Sequence, residues 1–429
     1  MVKCTKFTLF LIALFFVNLS FAQRTIIHCG KLIDGKRSKA QDKMTIVVDG
    51  DKIVEVRSGF MKPGESDQLL DLSGKTVLPG LMDMHVHVES QTSPNSYIQR
   101  FTLNDADVAY RAAKYANITL MSGFTTVRDL GGSGVNISLR DAINNGYAVG
   151  PRIYTSGKSI ATTGGHADPT NGYRKELSGD PGPKEGVANG PFDARKAVRQ
   201  RYKNGSDLIK ITATAGVLSM AKNGSAPQFM EDELRGIIET ANDMGMTVAA
   251  HAHGAEGMKR AIRAGVTSIE HGTFMDEETI ALMKQHGTWY VPTLLAGKTV
   301  ADSAKVPGYY PEIVVPKALA IGPQLQDTFS RAYKKGVKIA FGTDAGVFVH
   351  GYNAREFNLM VEGGMSEMEA IQAATVNAAM LLGIEDELGS VEKGKKADII
   401  AVEGDPLKDI SVLQQVEFVM KGGEVFKNI

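Results

Sequence analysis

The stretch MTVAAHAHGAEGMKRAIRAGVTSIEHG, residues 246–272, carries the pattern that decides the fold. MTVAAH is a short apolar run of the kind found in buried strands. AEGMKRAIRAG has the spacing of a helix and closes on glycine, and VTSIEH is strand-like again. A strand, a helix capped by glycine and a second strand form a βα unit with its crossover. The same alternation continues on both sides. Upstream, TTVRDLG (125–131) precedes NISLRDAINNG (136–146), RIYTSGKSI (152–160) precedes FDARKAVRQRYKNG (192–205), and SDLIKITAT (206–214) precedes MEDELRGIIETANDMG (230–245). Downstream, VTSIEHG leads to DEETIALMKQHG (276–287). WYVPTLL (289–295) leads to a longer insertion ending in LQDTFSRAYKKG (325–336), and VKIAFGTDAG (337–346) to helices through SEMEAIQAATVNAAMLLG (366–383). With MDMHVHV (82–88) as the first strand, eight units fall within about 300 residues. That predicts an α/β fold, a (β/α)8 TIM-like barrel over 80–387, rather than an open sheet.

The two ends of the chain have a different character. TIIHCGKLIDG (25–35), MTIVVDGDKIVEV (44–56) and QLLDLSGKTVLPG (68–80) alternate apolar residues with Gly/Asp turns. GSVEKGKKADIIAVEGDP (389–406) and VEFVMKGGEVFK (416–427) repeat that habit. They suggest one small β-sandwich formed by both termini, 23–79 with 388–429.

Of the 429 residues, 43% are apolar and 22% charged, so a sizeable core is available. Lys+Arg and Asp+Glu are equal at 48 each, without a basic tract, which argues against nucleic acid or an anionic membrane as partner. The first residues, MVKCTKFTLFLIALFFVNLSFAQ, have the plan of a secretory signal peptide: Lys3 and Lys6, an apolar run from Phe7 to Val17, and small residues at Ser20 and Ala22. The apolar run is shorter than the roughly 20 residues that span a bilayer. Residues 1–22 are therefore expected to be cleaved, giving an exported protein, periplasmic or extracellular, with no membrane attachment. Loss of the two lysines from a balance of 48 and 48 leaves a mature net charge of −2. Of the two cysteines, Cys4 leaves with the leader and Cys29 stands alone, so no intrachain disulfide is expected. A homo-oligomer is left open.

Chemistry in such barrels sits at the C-terminal ends of the strands. His85 and His87 close the first strand, Lys210 lies in the fourth, His251 closes the fifth, His271 the sixth and Asp344 the eighth. Side chains alternate along a strand, so the His-x-His pair of LMDMHVHVES (81–90) projects both rings to one side. A lone core histidine is more often satisfied by a hydrogen bond than by a metal, and a lone strand-end Asp more often caps a helix. Five ligand-type residues at the ends of four strands do not fit that reading together. Imidazoles with a carboxylate suit divalent metal, with zinc the first choice. Burial beside a dication drives a lysine towards its neutral form, which can capture CO₂ as a carbamate. A carboxylated Lys210 would bridge two ions, one with His85, His87 and Asp344, the other with His251 and His271.

Around these residues the chain resembles the amidohydrolase superfamily. HVHVES, LIKITA, AHAHG, IEHGTFMD and GTDAG stand where that family carries its metal motifs, and ADIIAVEGDP is similar to its closing C-terminal strand. The resemblance covers essentially the whole mature chain. It implies a barrel with a β-sandwich from both termini and a binuclear centre bridged by N6-carboxylysine 210 and a hydroxide. GKSIATTGGHAD (157–168) and NAREFNLMVEGGMSEMEAIQAAT (353–375) look most like a peptidase-type branch. That branch includes proteins described as Xaa-Pro dipeptidases and activities on dipeptides, N-acyl amino acids and ochratoxin-like amides. The lysine separates this reading from imidazolonepropionases, which use one metal without it. Gly254 after His253 separates it from mononuclear deaminases, whose motif supplies a catalytic Glu there.

The expected activity is hydrolysis of an amide or peptide bond in a small molecule or short peptide by a metal-bridging hydroxide. Asp344 would accept its proton and pass it to the leaving amine. His166, in a Gly-rich loop after the third strand, is expected to stabilise the oxyanion or hold a substrate carboxylate. His253 and His350 are further candidates for substrate contact, while His28 and His286 look structural. Two long loops, 166–192 and 214–230, would cover the mouth, with Leu218, Met220 and Phe229 as an apolar lining. Two alternatives remain: a cyclic-amide or lactone hydrolase of the same superfamily, and a non-catalytic barrel scaffold.

Overall fold

The computed structural model describes residues 24–219 and 223–429. The expected leader (1–22) and Met220 lie outside the described residues. Four strands open the described chain: β1 (Thr25–Leu32), β2 (Gln41–Asp49), β3 (Lys52–Ser58) and β4 (Gln68–Pro79). Seven shorter ones follow: β5 (Leu81–Val86), β6 (Phe124–Asp129), β7 (Arg152–Thr155), β8 (Ile209–Thr212), β9 (Val248–Ala252), β10 (Ser268–His271) and β11 (Trp289–Val291). Three close it: β12 (Ile399–Val402), β13 (Val416–Lys421) and β14 (Glu424–Asn428).

Strands from both ends of the chain share one seven-stranded sheet, in the order β14-β13-β12-β4-β1-β2-β3. The joint between the two ends is the antiparallel pair β4–β12, with Thr76 opposite Val402 and Pro79 opposite Ile399. Alternation divides these strands between two cores. Val77, Ile399, Ala401 and Phe418 pack with Ile27 and Ile46 on one face. Their neighbours Leu78, Ile400, Val402 and Val419 join the large core shared with the middle of the chain. Cys29 is buried with a free thiol, and burial pushes its pKa up to about 12.

The middle strands are parallel and fall into two open sheets, β5-β6-β7 and β11-β10-β9-β8. Every residue of β8, β9 and β10 is buried, as expected of strands covered on both faces. Isolated parallel bridges connect the sheet edges: Ile160 with Ile211, Tyr290 with Ile339, and Val86 with Ala345. The strand expected in VKIAFGTDAG is reduced to two isolated bridges, at Ile339 and Ala345. Its amides are taken elsewhere: Phe341 donates to the carbonyl of Ala373, and Thr343 to the carboxylate of Asp83. Asp344 adopts a positive φ of 61°. A ladder cannot run through amides already engaged in this way.

Helices follow the parallel strands: α1 (Ser96–Thr102) and α2 (Asp105–Met121) after β5, α3 (Val135–Asn144) after β6, α4 (Lys175–Ser178) and α5 (Gly190–Lys203) after β7, and α6 (Glu231–Asp243) after β8. Next come α7 (Ala255–Ala264), α8 (Glu277–His286), then α9 (Leu294–Ser303) with α10 (Val315–Lys334), and finally α11 (Arg355–Glu362), α12 (Glu367–Ala373) and α13 (Val376–Leu382). The glycine stop signals are literal at α7 and α8, whose C-caps Gly265 and Gly287 take φ of 100° and 69°. Among the described residues no helix is long and apolar enough to cross a membrane.

Candidate active site

The ends of β5, β8, β9 and β10 and the 338–345 segment deliver their polar side chains to one cavity of about 250 Å³. His85, His87, His166, Lys210, His251, His253, His271 and Asp344 all line it. The His-x-His pair projects to one side, with ring centroids 5.4 Å apart. His271 lies 5.1 Å from His85 and 4.7 Å from His251, centroid to centroid. Asp344 Oδ1 sits 3.2 Å from His87 Nε2 and 3.5 Å from His85 Nε2, buried and without hydrogen-bond geometry to any described partner. Lys210 Nζ is 3.4 Å from His85 Nε2.

That donor set fits a divalent cation. His85, His271 and Asp344 each offer a ligand atom, and these atoms lie within 4.8 Å of one another. Burial, aided by Lys210, pushes the His85 pKa down to about 4, and burial with neighbouring imidazoles holds His251 and His271 well below the usual value. Neutral imidazoles are the form that binds metal. Burial also pulls Lys210 down to about 8, against the attraction of Glu270 and Asp344, and so favours the amine that can react with CO₂. Asp344 resists burial because His85, His87 and His271 surround it, and its carboxyl stays well below the ordinary range.

Backbone strain gathers here. His271, Thr293 and Asp344 have φ of 69°, 53° and 61°, a region that side chains with a Cβ rarely enter. At His271 this breaks strand alternation, so Glu270 and His271, adjacent in sequence, both reach His85. Glu270 Oε2 lies 2.9 Å from His85 Nδ1, and Arg128 Nη2 donates to Glu270 Oε1 at 2.9 Å.

Sequence reasoning passed over Glu270 and Arg128. The available signal was charge inside strands of the buried kind: Glu270 in SIEH, and Arg128 beside Asp129 in TTVRD. Such charges must be paired when buried. Thr293 was also missed; its hydroxyl lies 2.7 Å from His271 Nδ1.

The other candidates separate. His166 stacks on His251 at 4.3 Å, and its buried Nδ1 finds no hydrogen-bond partner among the described residues. His253 Nδ1 is 2.8 Å from Thr273 Oγ1 with its ring in the cavity wall. His350 does not line the cavity. Its ring stacks on Tyr115, and its Nε2 lies 2.9 Å from the carbonyl oxygen of Ser90, in the turn after His87. Phe229 also departs from expectation: it is 1% exposed and belongs to the large core, because its strand-proximal position leads straight into α6. Leu218 does line the cavity, beside Val217, Val300, Ile321 and Leu325. The two covering loops are tied together by the amide of His166, which donates to Gln228 Oε1 at 2.8 Å.

Comparison with known proteins gives these features a family context. The model of the amidohydrolase family matches residues 76–426. An ochratoxinase from Aspergillus niger is 34% identical over 95% of this chain and 87% of its own length. The crystal structure of a Xaa-Pro dipeptidase with bound methionine in the active site is 55% identical, with a TM-score of 0.92 over 95% of this chain and 100% of that one. A prolidase complexed with N-methylphosphonate-L-proline is 32% identical, with a TM-score of 0.87 over 95% of this chain and all of its own. Family and neighbours together imply a TIM-barrel-type fold for the parallel units.

Proposed function

We propose that this chain, which belongs to the amidohydrolase family, is an exported, metal-dependent enzyme that cleaves dipeptides or N-acyl amino acids beside a free carboxylate. The chain is a hydrolase of amide or peptide C–N bonds. We read β5 to β11 with the bridged 338–345 segment as an eight-unit barrel, 80–387. The seven-stranded sheet is read as an accessory β-sandwich made of 23–79 and 388–429.

In this reading His85, His87 and Asp344 would hold one divalent ion, His251 and His271 a second, and a carboxylated Lys210 would lie between them. Two such ions, zinc by preference, would polarise the scissile carbonyl and acidify water at neutral pH. Asp344 takes the proton from the attacking water and returns it to the amide nitrogen, which leaves poorly unless protonated. His166, with an uncommitted Nδ1 in the cavity wall, is suited to the oxygen that gains negative charge. The aliphatic wall of Leu218, Val300, Ile321 and Leu325 suits an apolar substituent, and the methionine in the 55% identical neighbour is a ligand of that kind.

The observation that carries this reading is the meeting in one cavity of His85, His271 and Asp344 at ligand spacing with a buried lysine. The test is a library of dipeptides and N-acyl amino acids offered to the zinc-loaded protein, each beside its C-terminal amide, with cyclic amides and lactones included. Turnover of the free acids alone is expected. Turnover confined to blocked termini or to cyclic substrates would overturn it.

A further inference from the structure

We propose that Glu270, ion-paired with Arg128, is a positioning residue that makes the His85 side of the centre the tighter of its two metal positions. The proposal rests on the binuclear reading above and deepens it.

A histidine that binds metal through Nε2 must carry its proton on Nδ1. A carboxylate at Nδ1 fixes that tautomer and makes the opposite nitrogen more basic. Glu270 Oε2, 2.9 Å from His85 Nδ1, does this for His85 and leaves its Nε2 facing Lys210 and Asp344. The other rings are backed without charge. His87 Nδ1 is 2.8 Å from the carbonyl oxygen of Gly131, and His271 Nδ1 is 2.7 Å from the hydroxyl of Thr293, which can donate or accept. His251 is engaged through its other nitrogen, Nε2, 3.3 Å from the carbonyl oxygen of Ala215. Anionic backing among these four histidines is therefore one-sided.

A wholly buried carboxylate stays charged only if its oxygens are satisfied. Glu270 Oε1 accepts from Arg128 Nη2 at 2.9 Å and from the Ser268 hydroxyl at 2.5 Å. Arg128 has a second grip: its Nε donates to the carbonyl of Met84 at 2.7 Å, next to His85 itself. One guanidinium thus fixes both the strand that presents the imidazole and the anion behind it.

The experiment titrates zinc into metal-free wild type, Glu270→Gln and the double variant Arg128→Met/Glu270→Gln, in competition with a chromophoric chelator. Wild type is expected to fill in two separable steps. Glu270→Gln should weaken the tighter step about 10–100-fold and leave the weaker step within about threefold, the loss typical of removing a partner behind a metal-binding histidine. Weakening of both steps alike, or of neither, overturns the role given to Glu270. If Glu270→Gln fails to fold because Arg128 is left unpaired, the double variant removes both charges and carries the same expectation. Fewer than two zinc ions in the wild type would sink the binuclear reading itself, a result distinct from two ions bound with equal affinity, which overturns the asymmetry alone.

Discussion

Lys210 lines this cavity, buried among its histidines. Burial has already brought its pKa down to about 8, and His85 Nε2 lies 3.4 Å away. Lys210→Ala is expected to lose bound metal and activity together, with part of both restored by short carboxylic acids that replace the carbamate. Lys210→Arg should fail as well, since a guanidinium does not form one. Metal analysis beside a rate assay checks both, and full activity in either variant would refute the bridge. His166→Ala makes a contrasting prediction: kcat should fall about 10²–10³-fold, the usual effect of losing one oxyanion donor, with metal content unchanged. At this scale the sequence was most informative where residues recur in pairs or close a strand, as His85 and His87 do. It was least informative at Glu270. There the decisive fact is a positive φ at the next residue, and no periodicity announces it. At His350, nearness in sequence to Asp344 does not carry the ring into the cavity lining.

At the scale of elements, two loops and one helix shape the site. Gly216 presents its bare Cα to the His166 ring, and a methyl group there would collide with the imidazole. Gly216→Ala should therefore reproduce much of the kcat loss of His166→Ala while melting close to wild type, a pairing that kinetics and calorimetry can read together. Helix α9 supplies Thr293 behind His271 and Val300 in the wall, and it is anchored by a carboxylate. Glu356 of α11 accepts from the amides of Leu294 and Leu295, each at 2.7 Å. Burial outweighs those bonds and pushes its pKa from 4.5 up to about 8. The unfolded chain releases this proton near pH 4.5 and the folded chain keeps it to about pH 8, so the group subtracts stability as pH rises between those values. Glu356→Gln removes the titration. Its Tm should decline less steeply than that of wild type from about pH 5 to 8, and parallel slopes would count against the argument. Helices α3 and α5 to α8 and the parallel strands β5 to β11 were legible from periodicity and glycine stops, whereas α1, α2, α4 and α9 were not singled out. The eighth strand was legible only as composition, because the groups that engage its amides, Ala373 and Asp83, are distant in sequence.

At the scale of the molecule, polar contacts join the parallel units to the mixed sheet, and Arg152 makes one that is doubly bonded. From β7 its guanidinium donates twice to Asp398 beside β12, at 2.7 and 3.2 Å, and the Asp398 side chain is only 4% exposed. Arg152→Ala leaves that carboxylate buried with the Gly422 amide and little else. A loss of about 2–3 kcal/mol is expected, read as a lower denaturant midpoint at unchanged zinc content. Similar composition at the two ends hinted that they belong together. Pairing and register were beyond sequence alone, since nothing in either end specifies which strand of the other it meets.

That pairing also sets an order of events. β4 cannot acquire its neighbour β12 until Val402 has been synthesised, more than three hundred residues after Thr76. Until then the nascent polypeptide carries an open apolar edge with no closing partner. Such a topology delays completion of the sheet until β12 has been made, and the long separation of its partners raises contact order, which favours slower refolding.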